Sequence, residues 1–202
     1  MTYYKTICAD PPWPYESSDR GAIIKTVKSD GSIAKGVHVH ESYPTMTMDE
    51  LKAMRVPSAV NSHLYLWTTN AFMVEAHELA RAWGFNPKTI ITWVKMKADG
   101  TPSMKTGYYY RGATEHMLFC VKGSLRLAGP AAPTCILSPR LGHSVKPERS
   151  YSMIEAQSPS PRLEIFARRH REGWDRFGNE VASNVDLNQL PDAGQAGGSD
   201  GR

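Results

Sequence analysis

Short β-rich apolar runs alternate along the chain with amphipathic stretches, a pattern that predicts an α/β sheet with helices on its faces. Strands are expected at residues 3–8, 64–68, 89–94, 116–121 and 163–166. Residues 71–83 place Phe72, Val74, Leu79 and Trp83 on or beside one helical face, with Asn70 as the expected N-cap and Gly84 as the stop. A second helix is expected over 147–157, opened by Pro147, with Tyr151 and Ile154 facing inward. Two polar stretches, 16–40 and 97–111, interrupt this pattern, and loops of that length in a compact domain tend to be functional or mobile. Residues 183–202 are small, polar and glycine-rich, so the expectation is one domain over 1–182 followed by a disordered tail.

Composition narrows the class. An apolar share of 41% is ordinary for a globular core. No run approaches the roughly 20 apolar residues of a membrane span, and the start of the chain carries no signal-peptide pattern, so a cytoplasmic protein that does not enter membranes is expected. Cys8, Cys120 and Cys135 are too few and too scattered for a zinc site or a disulfide framework, and no metal is expected. The formal charge of +4 does not by itself identify a nucleic-acid binder.

The chemistry starts where the first strand ends, at Asp10-Pro11-Pro12-Trp13. Open α/β sheets place their ligands at the carboxyl ends of their strands. The prolines stiffen the backbone and leave carbonyl oxygens to accept hydrogen bonds. Asp10 and a proline carbonyl would take both hydrogens of an exocyclic amine, while Trp13 and Tyr15 would stack on the ring that carries it. The same residues also suit a plain strand-ending turn over a core tryptophan. No Gly-x-Gly-x-x-Gly run follows the strand, which argues against an ordinary dinucleotide site.

Seven blocks in order carry a resemblance over residues 3–181. After Asp10-Pro11-Pro12-Trp13 come Tyr43-Pro44-Thr45-Met46 with Met48-Asp49-Glu50-Leu51, then Leu64-Tyr65-Leu66-Trp67-Thr68-Thr69-Asn70. Ala82-Trp83-Gly84-Phe85 through Trp93-Val94-Lys95 is followed by Glu115-His116-Met117-Leu118 with Val121-Lys122-Gly123. The series closes with His143-Ser144-Val145-Lys146-Pro147-Glu148, then Leu163-Glu164-Ile165-Phe166-Ala167-Arg168 and Trp174 to Glu180. The chain resembles the MT-A70-like S-adenosylmethionine-dependent adenine-amino methyltransferases, of prokaryotic or phage type.

The resemblance implies a Rossmann-like class I methyltransferase fold in permuted order, with the catalytic strand early and the cofactor-binding half late. It implies S-adenosylmethionine as cofactor, held by Asp10, Lys146, Glu164, Arg168, His170, Asn179 and Glu180, with Lys146 at its methionine end and Asn179 at its adenine end. Asp10, Pro11, Pro12 and Trp13 are the implied catalytic residues. Tyr15, Tyr43, Lys95, Lys105 and Arg111 are the expected substrate contacts, joined by Lys25, Lys28, Lys35, Lys97 and the Tyr108-Tyr109-Tyr110 cluster. Arg171 and Glu180 depart from the messenger-RNA enzyme, which has Asn and Gln there. That enzyme also has an acidic cofactor contact well upstream, whereas nine residues precede Asp10 here, so another loop is expected to replace it or affinity to fall. The implied reaction is methylation of adenine N6. DNA is expected ahead of RNA because this chain is a bare catalytic domain without zinc-finger modules. A homodimer or heterodimer is the expected assembly. The competing readings are a non-catalytic methyltransferase-like binding subunit, which usually lacks the acidic motif, and an enzyme acting on a protein glutamine or on cytosine.

Overall fold

The computed structural model describes residues 3–14, 45–104, 109–140 and 145–187. The stretch 16–40, Tyr15, Tyr43, Lys105, Tyr108 and the tail from 188 onward lie outside the described residues.

Seven strands form one mixed sheet: β1 Tyr4–Ala9, β2 Ser58–Thr68, β3 Asn86–Met96, β4 Thr114–Lys122, β5 Cys135–Pro139, β6 Arg162–Ile165 and β7 Asp175–Phe177, in the order β5-β3-β4-β2-β1-β6-β7. β1 pairs in parallel with both β2 and β6, and β6 with β7. β4 runs antiparallel between β2 and β3, and β5 pairs in parallel with β3. Every strand but β4 therefore points the same way. The early β1 lies in mid-sheet beside the late β6, as the permuted Rossmann-like order requires.

Strand alternation sorts the core into two layers. Ile7, Ala9, Leu64, Leu66, Leu163 and Ile165 face α1 (Met48–Ala53) and α2 (Met73–Ala82), which contribute Leu51, Ala76, Leu79 and Ala80. Cys8, Tyr65, Trp67, Trp93 and Met117 face the other way and meet Tyr151 and Ile154 of α3 (Glu148–Gln157). α1 opens on a reciprocal cap, with the Thr47 hydroxyl accepting from Glu50 N and the Glu50 carboxylate accepting from Thr47 N.

Four expectations change. A 3-10 turn at Asn70–Phe72 precedes α2, so Asn70 lies inside that turn and does not cap the helix; its Oδ1 accepts from His116 Nε2–H at 2.5 Å instead. β5 escaped notice because only Ile136 of its five residues is buried, and β7 because it is three residues long with Asp175 and Arg176 in it. The chain also stays packed beyond the expected boundary at 182. Asn184 bonds back to β7, and Leu187 is buried in the core.

A polar knot ties the amino half of β2 to the end of α3. His63 Nε2–H donates to the Leu125 carbonyl at 3.1 Å, so Nδ1 accepts from the Ser158 hydroxyl at 2.7 Å, and the Tyr65 hydroxyl reaches Ser158 Oγ at 2.8 Å. Burial holds the His63 ring below the ordinary histidine value, against the opposing pull of the Leu125 carbonyl. The unfolded chain therefore binds this proton more readily than the folded one. Stability carried by neutral His63 is present above pH 6.5 and is lost as pH falls from there. Urea midpoints are expected to fall between pH 7 and pH 5.5 in the wild type, and less steeply in His63→Gln.

Candidate active site

The carboxyl ends of β1, β2, β3, β6 and β7 meet the amino end of β4 along one sheet edge, so residues far apart in sequence converge there. Asp10 leaves β1 with its N–H directed to the Ile165 carbonyl at 3.4 Å. Trp13 N donates to the Pro11 carbonyl at 2.9 Å and Met46 N to the Pro12 carbonyl at 3.0 Å. Each carbonyl thus keeps one lone pair for a ligand rather than the two expected from proline alone.

Trp13 is not displayed to a substrate. Its ring is buried, stacked on Phe72 with centroids 5.5 Å apart and planes 11° from parallel, and its Nε1–H donates to the Trp67 carbonyl at 3.2 Å. The expected base-stacking plate instead anchors the turn that holds Asp10. An indole carries enough apolar area to make burial its favoured place once its N–H finds an acceptor.

Four charges of alternating sign run along the edge. Lys146 Nζ lies 2.8 Å from Asp10 Oδ2 and 3.1 Å from Glu115 Oε2, and Lys95 Nζ lies 2.5 Å from Glu115 Oε1. Lys146 and Lys95 also sit 5.1 Å from the ring centroids of Trp67 and Trp93. Burial alone would depress the Lys146 ammonium, but Asp10 and Glu115 together raise it above the usual lysine value. Burial would raise the Glu115 carboxyl, yet Lys146 and Lys95 hold it below the carboxylate range. Lys95, expected as a phosphate contact, is 4% exposed and spent on Glu115. Glu115 stands in one of the matching blocks, and the resemblance gives it no role. The signal was a lysine and a glutamate in neighbouring antiparallel strands, since Trp93 pairs with Glu115 and Lys95 lies two residues on, on the same face.

Two clefts open at this edge and share Phe166. The polar one is lined by Asp10, Lys146, Glu164, Arg168 and Arg169, with Tyr151 behind. There the Tyr151 hydroxyl donates to Glu164 Oε1 at 2.6 Å, and burial chiefly raises the Glu164 carboxyl. The larger one, called the apolar cleft for its Met46, Met54, Phe177 and Leu187 side chains, is also lined by Pro12, Thr45, Ala53, Arg55, Gly178 and Asn179. Phe166 itself holds φ at +65°, an uncommon conformation for a bulky side chain, at the point where the clefts meet. Gly178 cannot carry a side chain, because a Cβ there would come 2.1 Å from the Ala167 carbonyl oxygen.

The remaining expected residues divide. Arg168 lines the polar cleft, and its NH1 pairs with Glu180 at 3.1 Å. His170 is exposed and lines neither cleft. Arg171 turns away to Glu148, at 2.6 Å, with its guanidinium 3.7 Å from the Tyr151 ring centroid, so its departure from Asn serves packing against α3. Arg111, Tyr109 and Tyr110 are exposed on the loop joining β3 to β4, which leaves from this same edge. Among the described residues no group of three or more His, Cys, Asp or Glu could hold a metal, and no helix is long and apolar enough to cross a membrane.

A family model described as MT-A70 matches residues 4–180. The type II methyltransferase M.MunI of Mycoplasma sp is 31% identical over 194 residues, covering 90% of this chain and 79% of that protein. A putative N(6)-adenosine-methyltransferase, MT-A70-like, of Medicago truncatula is 30% identical over 186 residues, covering 89% of this chain and 26% of that protein. The catalytic subunit of the Homo sapiens N(6)-adenosine-methyltransferase is 26% identical over 185 residues, covering 88% of this chain and 28% of that protein. The chain spans about a quarter of the length of the plant and human relatives.

Proposed function

This chain belongs to the MT-A70 family, and from that premise we propose that it transfers the methyl group of S-adenosylmethionine to the N6 amino group of adenine in DNA. The observation that carries the reading is Asp10, held by Lys146 at the mouth of the polar cleft at the carboxyl end of β1. DNA is favoured because the Mycoplasma relative, matched over most of its own length, is named a type II methyltransferase. RNA adenosine is the second reading, favoured by the names of the plant and human relatives.

The clefts fit the cofactor in chemistry as well as position. Its flat purine suits the apolar walls formed by Pro12, Met46, Met54 and Phe177, with the Asn179 amide beside its polar edge. Its charged end suits the polar cleft. An ammonium has three donors, and Lys146 spends two on Asp10 and Glu115, leaving one for a carboxylate. Glu164 offers an acceptor to an amino group, and Arg168 a further donor. Glu180, paired with Arg168, adds an acidic group next to Asn179 in the chain. S-adenosylmethionine supplies the activated methyl group, and the chain has to bring an amine to it.

The lone pair of an adenine amino group is delocalised into the ring, so the protein gains most by stabilising its pyramidal form. The free Asp10 oxygen and the spare lone pair of Pro11 or Pro12 would accept the two N–H groups, a preorganised acceptor pair that favours the transition state. Lys146 holds the Asp10 side chain in place through their ion pair at 2.8 Å. Asp10 acts first as a positioning acceptor and only then as a stop for the departing proton. A base inside a duplex cannot reach this turn and would have to be unpaired or flipped.

The test is transfer of labelled methyl to matched single-stranded DNA, duplex DNA and RNA, with digestion to identify the modified nucleoside. N6-methylated deoxyadenosine is the expected product; label found only in RNA would replace DNA with the second reading. On the same assay, Tyr109→Ala with Tyr110→Ala is expected to raise the KM for nucleic acid about tenfold with kcat little changed, because stacking on exposed rings binds the strand without touching the reacting atoms.

A further inference from the structure

We propose that residues 183–187, beyond the family match, form a clasp that completes the cofactor cleft, with Leu187 as the side chain against which the purine end of S-adenosylmethionine packs. The inference rests on the functional reading above and adds to it a residue that neither the resemblance nor the family match supplies.

The clasp is built by hydrogen bonds to β7 and to the turn after it. Arg176 N donates to Asn184 Oδ1 at 2.7 Å, Asn184 N to the Arg176 carbonyl at 3.1 Å, and Asn184 Nδ2 to Asp175 Oδ1 at 2.6 Å. The other oxygen of Asp175 accepts from the Tyr4 hydroxyl at 2.6 Å, so the clasp is fastened through β7 to β1. Ser183 Oγ accepts from Gly178 N at 3.0 Å and donates to the Gly178 carbonyl at 3.2 Å. On its other side Gly178 lies against the Ala167 backbone. The turn that leads into Asn179 is thereby tied to Ser183 on one side and packed on the Ala167 backbone through Gly178, which positions Asn179 at the cleft.

Leu187 follows from this anchoring. It is 5% exposed, belongs to the same core layer as Ile7 and Leu163, and also lines the apolar cleft together with Asn179 and Phe177. One side of it serves the core and the other faces the ligand space. A purine entering between Pro12 and Phe177 would bury apolar area against Leu187, which raises affinity for the cofactor without touching the transferred methyl group.

The test is calorimetric titration of the full chain with S-adenosylhomocysteine in the absence of nucleic acid, with thermal melts alongside. Leu187→Ala is expected to raise Kd, and the KM for S-adenosylmethionine, about tenfold while kcat at saturating cofactor stays within about twofold. Leu187→Met, which refills the wall, is expected to restore Kd to within about twofold. Leu187→Trp, which keeps the core contact and fills the cleft, is expected to abolish binding while the protein still melts cooperatively. Wild-type Kd values in both Leu187→Ala and Leu187→Trp would overturn the clasp assignment. Failure of the wild-type chain to bind S-adenosylhomocysteine at all would overturn the functional reading beneath it, so the two failures are told apart.

Discussion

Asp10→Ala is expected to lower kcat for methyl transfer by about a thousandfold while leaving the protein folded, because it removes the charged acceptor that favours the pyramidal amine and leaves the rest of the edge in place. The geometry separates the two effects. Asp10 is only one of two carboxylates on Lys146, and the ammonium keeps its partner Glu115 at 3.1 Å. The turn does not depend on the Asp10 side chain, since its conformation is held by Trp13 N on the Pro11 carbonyl, Met46 N on the Pro12 carbonyl and the buried Trp13 ring. A stability cost of about 1–3 kcal/mol follows, since Lys146 loses one of its two carboxylates but keeps Glu115, and the variant is expected to melt cooperatively at a lower Tm. Asp10→Asn is the informative companion. It retains an oxygen that can accept one N–H but loses the negative charge, so its rate is expected between those of wild type and alanine. Labelled-methyl transfer and a melting curve on each variant check both halves, and near-normal turnover in Asp10→Ala would remove the assigned chemistry.

The parts of the molecule that were legible in the sequence are those where one residue pattern has one physical solution. β1, β2 and β4 carry runs of large apolar side chains buried on both faces, and such runs have few alternatives to a central strand. β7 was invisible for the opposite reason: Asp175-Arg176-Phe177 becomes a strand through its pairing with β6 and its bonds to Asn184 and Tyr4, partners remote in sequence. The site shows the same division. Asp10 and Lys146 could be named from the resemblance, but the sequence could not tell that one holds the other, nor that Lys95 points into the edge toward Glu115 rather than out to phosphate. Trp13 was read as a ligand plate because an aromatic after two prolines suits that role, and it was claimed by Phe72 and the Trp67 carbonyl. Side-chain partners across a sheet depend on register, and register is decided by the whole core at once.

Lys146→Ala is expected to be the most damaging single change to both folding and activity, costing about 3–5 kcal/mol of stability, because it removes the cation that bridges two carboxylates that are themselves largely withdrawn from water. Glu115 would keep Lys95, but Asp10 would face it without an intervening charge. The Trp67 ring would also lose the ammonium that sits over it. Lys146→Met with Asp10→Asn separates the roles. Glu115 keeps its salt bridge to Lys95, and an uncharged thioether in the lysine's space beside a neutral amide leaves no carboxylate unpaired, so the double variant is expected to recover at least half of the lost stability, as ion pairs replaced by uncharged groups of similar volume often do. It should remain inactive, since both the charged acceptor and the cation that reaches toward the cofactor's charged end are missing. The pH dependence gives an independent check. The folded Glu115 carboxyl lies below its ordinary value of 4.5, so its stabilising pairing is present above that pH and is lost as pH falls through the folded value. The Lys146 ammonium lies above its ordinary value of 10.5, so its pairing is lost only as pH rises through a still higher one. The stability gap between wild type and Lys146→Ala, measured by urea unfolding, is therefore expected to be widest near neutrality and to narrow as pH falls below 4.5. A gap that stayed constant with pH would mean that Lys146 stabilises the edge by packing on Trp67 and not by charge.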